Sequence, residues 1–170
     1  MIGKPDRNEA APHYFTYIDK AQTDDILALL DAQTEELLTY FATISEERSL
    51  YRYELGKWSY RQALNHISDT ERVFSFRAFW FARAAQTPLP GFDQDPFAAA
   101  AQSDSRLWRS HIEEFRAVRA ATMHMLRSLP PEAWSRIGTA SEMPITVRAL
   151  AFAIAGHAEH HRRILVERYA

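Results

Sequence analysis

Four long segments with apolar residues at helical spacing dominate this sequence, and its prolines and glycines fall almost entirely outside them. Apolar residues that recur every three or four positions predict amphipathic helices, whereas proline and glycine mark helix ends and connections. The pattern predicts helices near residues 23–51, 59–85, 103–128 and 146–170. No run of residues alternates between polar and apolar over a strand's length, so we expect no significant sheet.

Residues at two helix starts agree with this pattern. Thr23 is a good N-cap for the first helix, and Asp24 and Asp25 would lie in its first turn, where the helix dipole favours anions. Ser59 and Gln62 have the spacing of a capping box at the start of the second helix. Both starts are therefore predicted independently of the apolar spacing.

Helices of this length with connections of moderate size predict an all-α, four-helix bundle with long inter-helix loops. We expect an irregular N-terminal arm over residues 1–22 and one bundle domain over residues 23–170. The connections 86–100 and 129–145 are longer than tight turns, so they could carry crossovers or line a pocket at one end of the bundle. Residues 138–144 should form a loop or at most a short extended piece.

Composition narrows the classes of function. Apolar residues make up 46% of the 170 residues, which is enough for one buried core, and the net charge of −2 lacks the basic excess of a nucleic-acid-binding protein. The chain has no cysteine, which excludes disulfides, thiolate metal sites and a cysteine nucleophile. The N-terminus has no apolar signal region and no segment is long enough to span a membrane, so we expect a cytoplasmic protein.

Histidines fall on the predicted core face of the last helix. Steps of three and four along that helix give an apolar stripe that contains two imidazoles, at Val147, Leu150, Ile154, His157, His161 and Ile164. His157 and His161 are one helical turn apart, so their rings can converge on one metal ion. His160 lies about 60° and about 100° round the helix from these two, towards the rim.

A third histidine is placed in the same way on the second helix. His66 shares a face with Gln62, Val73 and Trp80, so it too is predicted to face the core. A buried imidazole needs a partner for each ring nitrogen, and the simpler explanation is that these histidines hydrogen-bond to each other or to Asp69. Three imidazoles on core faces favour the alternative, a divalent metal ion held by all three.

Other catalytic signatures are missing from the sequence. The segment 157–161 is not the zincin motif, because alanine rather than glutamate follows its first histidine, and no nucleophile elbow, P-loop or dinucleotide-binding glycine motif occurs. We interpret His13, His111 and His124 as surface or ordinary core residues.

Five stretches of this chain together resemble the DinB/YfiT-like superfamily, over about residues 17–169. They are GKWS at 56–59, LNHISDTER at 64–72, PLPGFD at 88–93, VRALAF at 147–152 and GHAEHH at 156–161. The resemblance implies a four-helix bundle with a metal ion bound by His66, His157 and His161. It also implies a homodimer and one of several activities. Some members are transferases that use zinc to activate a low-molecular-weight thiol such as bacillithiol, a related mycothiol-dependent enzyme is a maleylpyruvate isomerase, and other members are described as metal-dependent hydrolases.

The functional prediction is a metal-dependent enzyme that transfers a low-molecular-weight thiol to an electrophilic small molecule. A metal-dependent hydrolase and a non-enzymatic metal- or ligand-binding stress protein are the alternatives. We expect one divalent ion per chain, zinc or nickel first, with iron or manganese as alternatives. Asp69, close to His66 in sequence, is the candidate catalytic residue that orients a ligand or accepts a proton, and the alternative is a surface carboxylate. Nucleic acid and membrane are not expected as partners.

Overall fold

Four long helices carry most of the chain in the computed structural model, which describes residues 1–169. Within that range, two short helices, one hairpin and several 3-10 turns accompany them. The helices and strands in chain order are α1 (Phe15–Ile18), α2 (Ile26–Ala42), α3 (Tyr60–Ala82), α4 (Gln94–Ala100), α5 (Trp108–Arg127), β1 (Ile137–Ala140), β2 (Met143–Thr146) and α6 (Val147–Arg168). The predicted end of the last helix and of the bundle domain, at residue 170, lies outside the described residues.

The long helices α2, α3, α5 and α6 form a four-helix bundle, as predicted. Helix α3 packs between α5 and α6, and α2 packs against the same two helices from the other side. Helices that follow each other along the chain, α2 with α3 and α5 with α6, therefore stand diagonally across the bundle. Long connections are needed to cross the bundle in this way, which explains the length of those from α2 to α3 and from α5 to α6. The connection from α3 to α5, which pack side by side, contains α4 instead.

Side-chain caps fix the starts of the long helices. The Ser59 hydroxyl accepts a hydrogen bond from the Gln62 backbone N–H, and the Gln62 side-chain oxygen accepts one from the Ser59 backbone N–H, so the predicted capping box is confirmed. Helix α2 begins two residues later than predicted. The Asp25 carboxylate accepts from the Leu27 and Ala28 N–H groups, while the Thr23 hydroxyl accepts from the Asp25 N–H in the preceding turn.

A short antiparallel hairpin forms where a loop, or at most a short extended piece, was expected over residues 138–144. Strand β1 pairs with β2 so that Ile137 faces Thr146 and Ala140 faces Met143. The turn uses two residues with positive φ, Ser141 at 52° and Glu142 at 64°. These are not the Asn-Gly or Asp-Gly residues that usually mark such a turn, which explains why the sequence pattern indicated no sheet. Helix α4 likewise falls in a connection that was expected to be a loop.

The N-terminal arm is partly helical and buried, not irregular throughout. A 3-10 turn at Pro12–Tyr14 leads into α1, where Phe15 and Ile18 are buried in the main core. The arm packs closely against α6 at Gly156, where a Cβ atom would lie 1.9 Å from the Tyr17 carbonyl oxygen. Only glycine allows this approach, and it places the Tyr17 side chain beside the first histidine of α6.

A buried ion pair joins three of the bundle helices. The Arg119 guanidinium donates to both carboxylate oxygens of Glu71 at 2.9 Å, and the two side chains are 1% and 2% exposed. Arg119 also donates to the Leu30 carbonyl and to Gln33 of α2. The pair therefore ties α2, α3 and α5 together.

None of the helices formed by residues 1–169 combines the length and the apolar character of a membrane span.

Candidate metal centre

Three imidazole rings from two helices meet on one side of the bundle. His66 projects from the first half of α3, and His157 and His161 project from adjacent turns of α6. The ring centroids of the three pairs lie 4.6–4.8 Å apart, and one nitrogen from each ring lies within 4.8 Å of the other two. The fold thus brings together all three residues that were predicted as metal ligands.

The spacing of the ring nitrogens suits a shared metal ion. The Nε2 atoms of His66 and His157 are 3.0 Å apart. Metal–nitrogen bonds of about 2.0–2.1 Å place two ligand nitrogens of one ion about 3–3.4 Å apart, depending on the coordination angle. The same 3.0 Å separation suits a hydrogen bond between the two rings, so this distance alone is compatible with both sequence-based explanations.

Burial keeps the rings in the form that binds metal. His66 and His157 are 4% and 3% exposed, and His161 is half-buried. Burial lowers the pKa of His66 to about 4 and that of His161 to about 3, and it holds the pKa of His157 well below its usual range. All three imidazoles are therefore neutral near pH 7, so a divalent ion could bind without displacing a proton. The donor set fits a metal such as zinc, nickel or iron.

Two aromatic side chains flank the cluster. The Trp58 ring lies 4.8 Å from the His66 ring and stacks at 6.3 Å on the His161 ring. The Tyr17 ring packs against His157 at an interplanar angle of 71°, with centroids 5.2 Å apart. The imidazole rings are therefore contacted by aromatic side chains from both the N-terminal arm and the segment before α3.

The residue beside His66 is Thr70, not Asp69. The Thr70 hydroxyl lies 3.5 Å from Nδ1 of His66, one helical turn away on the same face. Asp69 is turned away from the cluster, where its carboxylate accepts hydrogen bonds from Asn65 at 2.7 Å and Arg72 at 3.0 Å. Of the four predicted site residues, the structure therefore brings together the three histidines and leaves Asp69 outside.

Two cavities reach the histidines from different directions. One of about 380 Å³ is lined by His66 and His157 together with residues of the arm, α3 and the turn of the hairpin. The other, of about 190 Å³, is lined by His161, Trp58 and Tyr169. A larger groove of about 680 Å³ lies between α2 and α5 and is lined by none of the three histidines. The cluster therefore stands between two small cavities, away from this larger groove.

The remaining histidines have other surroundings. His111 is buried and its Nε2 lies 2.9 Å from the Ser103 carbonyl oxygen, and His124 is exposed, so both match the sequence-based interpretation. His160 is half-buried, with its ring 5.6 Å from Tyr17. His13 is exposed but lines the larger cavity.

Three residues of this region were not singled out from the sequence: Tyr17, Thr70 and Arg77. Arg77 is buried in the wall of the larger cavity, and it shares a helix face with His66 because the two are three turns apart. Helical periodicity from His66 could have found Thr70 and Arg77. Nothing in the local sequence indicates that the arm would bring Tyr17 to α6.

Comparisons with known proteins agree with this fold. The DinB superfamily model matches residues 29–165. YfiT from Bacillus subtilis, described as a probable metal-dependent hydrolase with an unusual four-helix bundle topology, superposes with a TM-score of 0.73 over 97% of this chain and 91% of that chain. The two sequences are 15% identical, so this likeness is one of fold. The chain has no match among curated proteins. Because the family model covers most of the sequence, the chain belongs to the DinB superfamily.

Proposed function

We propose that this protein is a metal-dependent enzyme that transfers a low-molecular-weight thiol to an electrophilic small molecule. The observation that carries the proposal is the position of the histidine cluster, His66, His157 and His161, between two cavities. Three neutral imidazoles provide an incomplete coordination sphere, which is typical of catalytic rather than structural sites. The cavities provide separate space for two reactants.

The three histidines would hold one divalent ion, with zinc or nickel as the first candidates and iron or manganese as alternatives. A bound ion of this kind supplies Lewis acidity, which lowers the pKa of a thiol or a water molecule held beside it. Because all three ligands are neutral, they leave the positive charge of the ion available to stabilise an anionic sulfur. The absence of cysteine means that this sulfur would come from a substrate.

The chain's own side chains would prepare the site. We assign the ring-orienting role expected of Asp69 to Thr70, whose hydroxyl can accept from Nδ1–H of His66 and so leave Nε2 free for the ion. Trp58 and Tyr17 would exclude water. Burial raises the pKa of Tyr17, so its phenol keeps its proton near neutral pH and can donate a hydrogen bond to a reactant in the larger cavity.

A metal-dependent hydrolase is the second candidate, because YfiT is described as a probable metal-dependent hydrolase. In that case the same three histidines would serve a reaction with water, and the smaller cavity would need no second organic reactant. Two cavities at one cluster favour the transferase. A non-enzymatic metal-binding protein would use neither cavity for catalysis.

Cobalt substitution tests the proposal. Titration of the cobalt protein with low-molecular-weight thiols should produce a sulfur-to-metal charge-transfer band, and His161→Ala should abolish it. His160→Ala is the matched control, since this ring lies outside the predicted ligand set. If thiols leave the spectrum unchanged while the protein hydrolyses simple esters or amides in a His161-dependent manner, the hydrolase replaces the transferase.

We also infer that the protein forms a homodimer through α3 and α5. Phe76 and Phe79 of α3 are 49% and 40% exposed, and they line an apolar groove of about 480 Å³ with Val118 and Met125. An exposed apolar strip of this kind on two adjacent helices is a suitable surface for a second copy.

A further inference from the structure

Arg77 is a buried cation that has no acidic partner among residues 1–169. Arg77 is only 3% exposed, yet no carboxylate oxygen of the described residues lies within 4.0 Å of its guanidinium nitrogens. The other deeply buried arginines, Arg61 and Arg119, each pair with a glutamate. A buried charge is normally paired because burial removes its hydration. Arg77 is therefore an exception, and an anionic ligand would supply the counter-charge that it lacks.

The contacts of Arg77 are all with neutral oxygens. One terminal nitrogen donates to the Tyr14 hydroxyl at 3.2 Å, and the other donates to the Pro90 carbonyl at 2.8 Å and the Ser141 hydroxyl at 3.1 Å. These bonds hold the guanidinium in place and compensate part of the lost hydration. They do not neutralise its charge, and a guanidinium carries five N–H donors in all.

Arg77 lines the same 380 Å³ cavity as His66 and His157. His66 and Arg77 are eleven residues apart on α3, which corresponds to about 16 Å along one face of the helix. Side chains lean towards the N-terminus of their helix, so the long arginine side chain reaches back towards the histidines. Phe74 and Phe92 also line the cavity and give it apolar surface.

Apart from the histidine cluster and two tyrosines, two other ionisable residues border this cavity. His13 is exposed, and Asp93 is exposed and uses its carboxylate to cap α4 by accepting from the Asp95 N–H at 3.2 Å. Arg77 is thus the one buried permanent charge among the described residues that line the cavity. A single fixed cation beside an exposed carboxylate matches a singly charged anion better than a dianion.

We propose that the larger cavity binds a small, singly charged carboxylic acid with an apolar or aromatic body. The carboxylate binds Arg77, the body packs between Phe74 and Phe92, and the opposite end of the molecule points towards His66 and His157. The orientation of a reacting group at the histidines rests on the proposed metal-dependent function. Recognition of the carboxylate by Arg77 does not depend on a metal.

Calorimetric titration of the full chain compares carboxylates with neutral amides of the same shape. Benzoate and 3-phenylpropionate should bind the wild-type protein about 10- to 100-fold more tightly than benzamide and 3-phenylpropionamide, the range expected for a charge-assisted hydrogen-bonded contact. Phenyl phosphate, which is a dianion at pH 8, should bind more weakly than benzoate. Equal affinity for acid and amide, or tighter binding of phenyl phosphate, would overturn the proposal without requiring any variant.

Variants then assign the effect to Arg77. Arg77→Gln should remove the preference for the acid over the amide, and Arg77→Lys, which retains the charge, should keep part of it. Ser141→Ala is the matched control because it removes one neutral contact of Arg77 but no charge, so it should keep the preference. If Ser141→Ala and Arg77→Gln lower acid and amide binding alike, Arg77 only tethers the loops and the proposal fails.

The same titrations after treatment with EDTA separate this proposal from the metal-dependent function. If the wild-type protein still prefers the acid over the amide after EDTA treatment, and Arg77→Gln loses that preference, Arg77 binds the carboxylate whether or not a metal is present. Acid preference that disappears with EDTA and is unchanged in Arg77→Gln would mean that the carboxylate binds the metal. That result would refute the role of Arg77 and leave the proposed metal site intact.

Discussion

Replacement of Gly156 by alanine should destabilise the protein, although the same change in an ordinary helix is stabilising. The new Cβ would lie 1.9 Å from the Tyr17 carbonyl oxygen and 2.4 Å from its carbonyl carbon. Both atoms are backbone, so the arm must move away from α6. Overpacking of this severity costs about 3 kcal/mol, and the better helix propensity of alanine offsets about 1 kcal/mol of it. The expected net loss of about 2 kcal/mol corresponds to a Tm lower by about 4–8 °C.

Thermal unfolding followed by circular dichroism measures this loss, and limited trypsin digestion at Lys20 should report whether the arm has moved. Gly3→Ala is the control, since a Cβ there has no neighbour nearer than the Asp24 carbonyl oxygen at 3.9 Å. An unchanged or higher Tm in Gly156→Ala, with the same digestion rate as wild type, would refute the close packing of the arm on α6. It would also remove the reason for placing Tyr17 beside His157.

Three further predictions concern the core, the arm and the surface. Glu71→Gln should lower the free energy of unfolding by about 3–5 kcal/mol in urea denaturation, because it leaves the buried Arg119 charge unpaired; a loss below about 1 kcal/mol would contradict this. Burial raises the pKa of Glu9, but hydrogen bonds from Arg148, Thr146 and the Asp6 backbone outweigh it and lower the pKa from its usual 4.5. The stabilising effect of Glu9 is therefore complete above about pH 4.5 and is lost as the pH falls through the lowered pKa, so Glu9→Gln should lower the Tm at pH 7 and have less effect at pH 3; an equal effect at both would refute the linkage. Phe76→Glu should shift the mass in static light scattering from dimer to monomer, and a wild-type protein that is already monomeric at micromolar concentration would exclude the homodimer.

The helical part of the fold could be predicted because its signals are local. Apolar spacing, the capping box at Ser59 and the long connections all follow from neighbouring residues. The hairpin could not be predicted, because Ser141 and Glu142 adopt positive φ without the glycine or asparagine that usually indicates it. The arm was missed for another reason, since its burial depends on a distant contact with Gly156.

In the candidate site, too, the features that depend on local helix geometry could be predicted and those that depend on distant contacts could not. His157 and His161 are one turn apart in a single helix, so their convergence follows from helix geometry, and the core-facing position of His66 made it the natural third member. The choice between Asp69 and Thr70 depends on the rotation of α3, and sequence spacing placed either residue near His66. The charge of Arg77 was visible in the sequence, but its lack of an acidic partner depends on how four separate segments meet.

Metal analysis of protein purified without an affinity tag or added metal tests the three-histidine site most directly. Wild-type protein and His160→Ala should each contain about one divalent ion per chain, because one convergent histidine set is present in the described residues. His157→Ala and His161→Ala should lose most of that ion while keeping their helical circular dichroism. Full metal content in both of these variants, or wild-type protein that binds no divalent ion even when zinc or nickel is supplied, would contradict the assignment of His66, His157 and His161 as metal ligands.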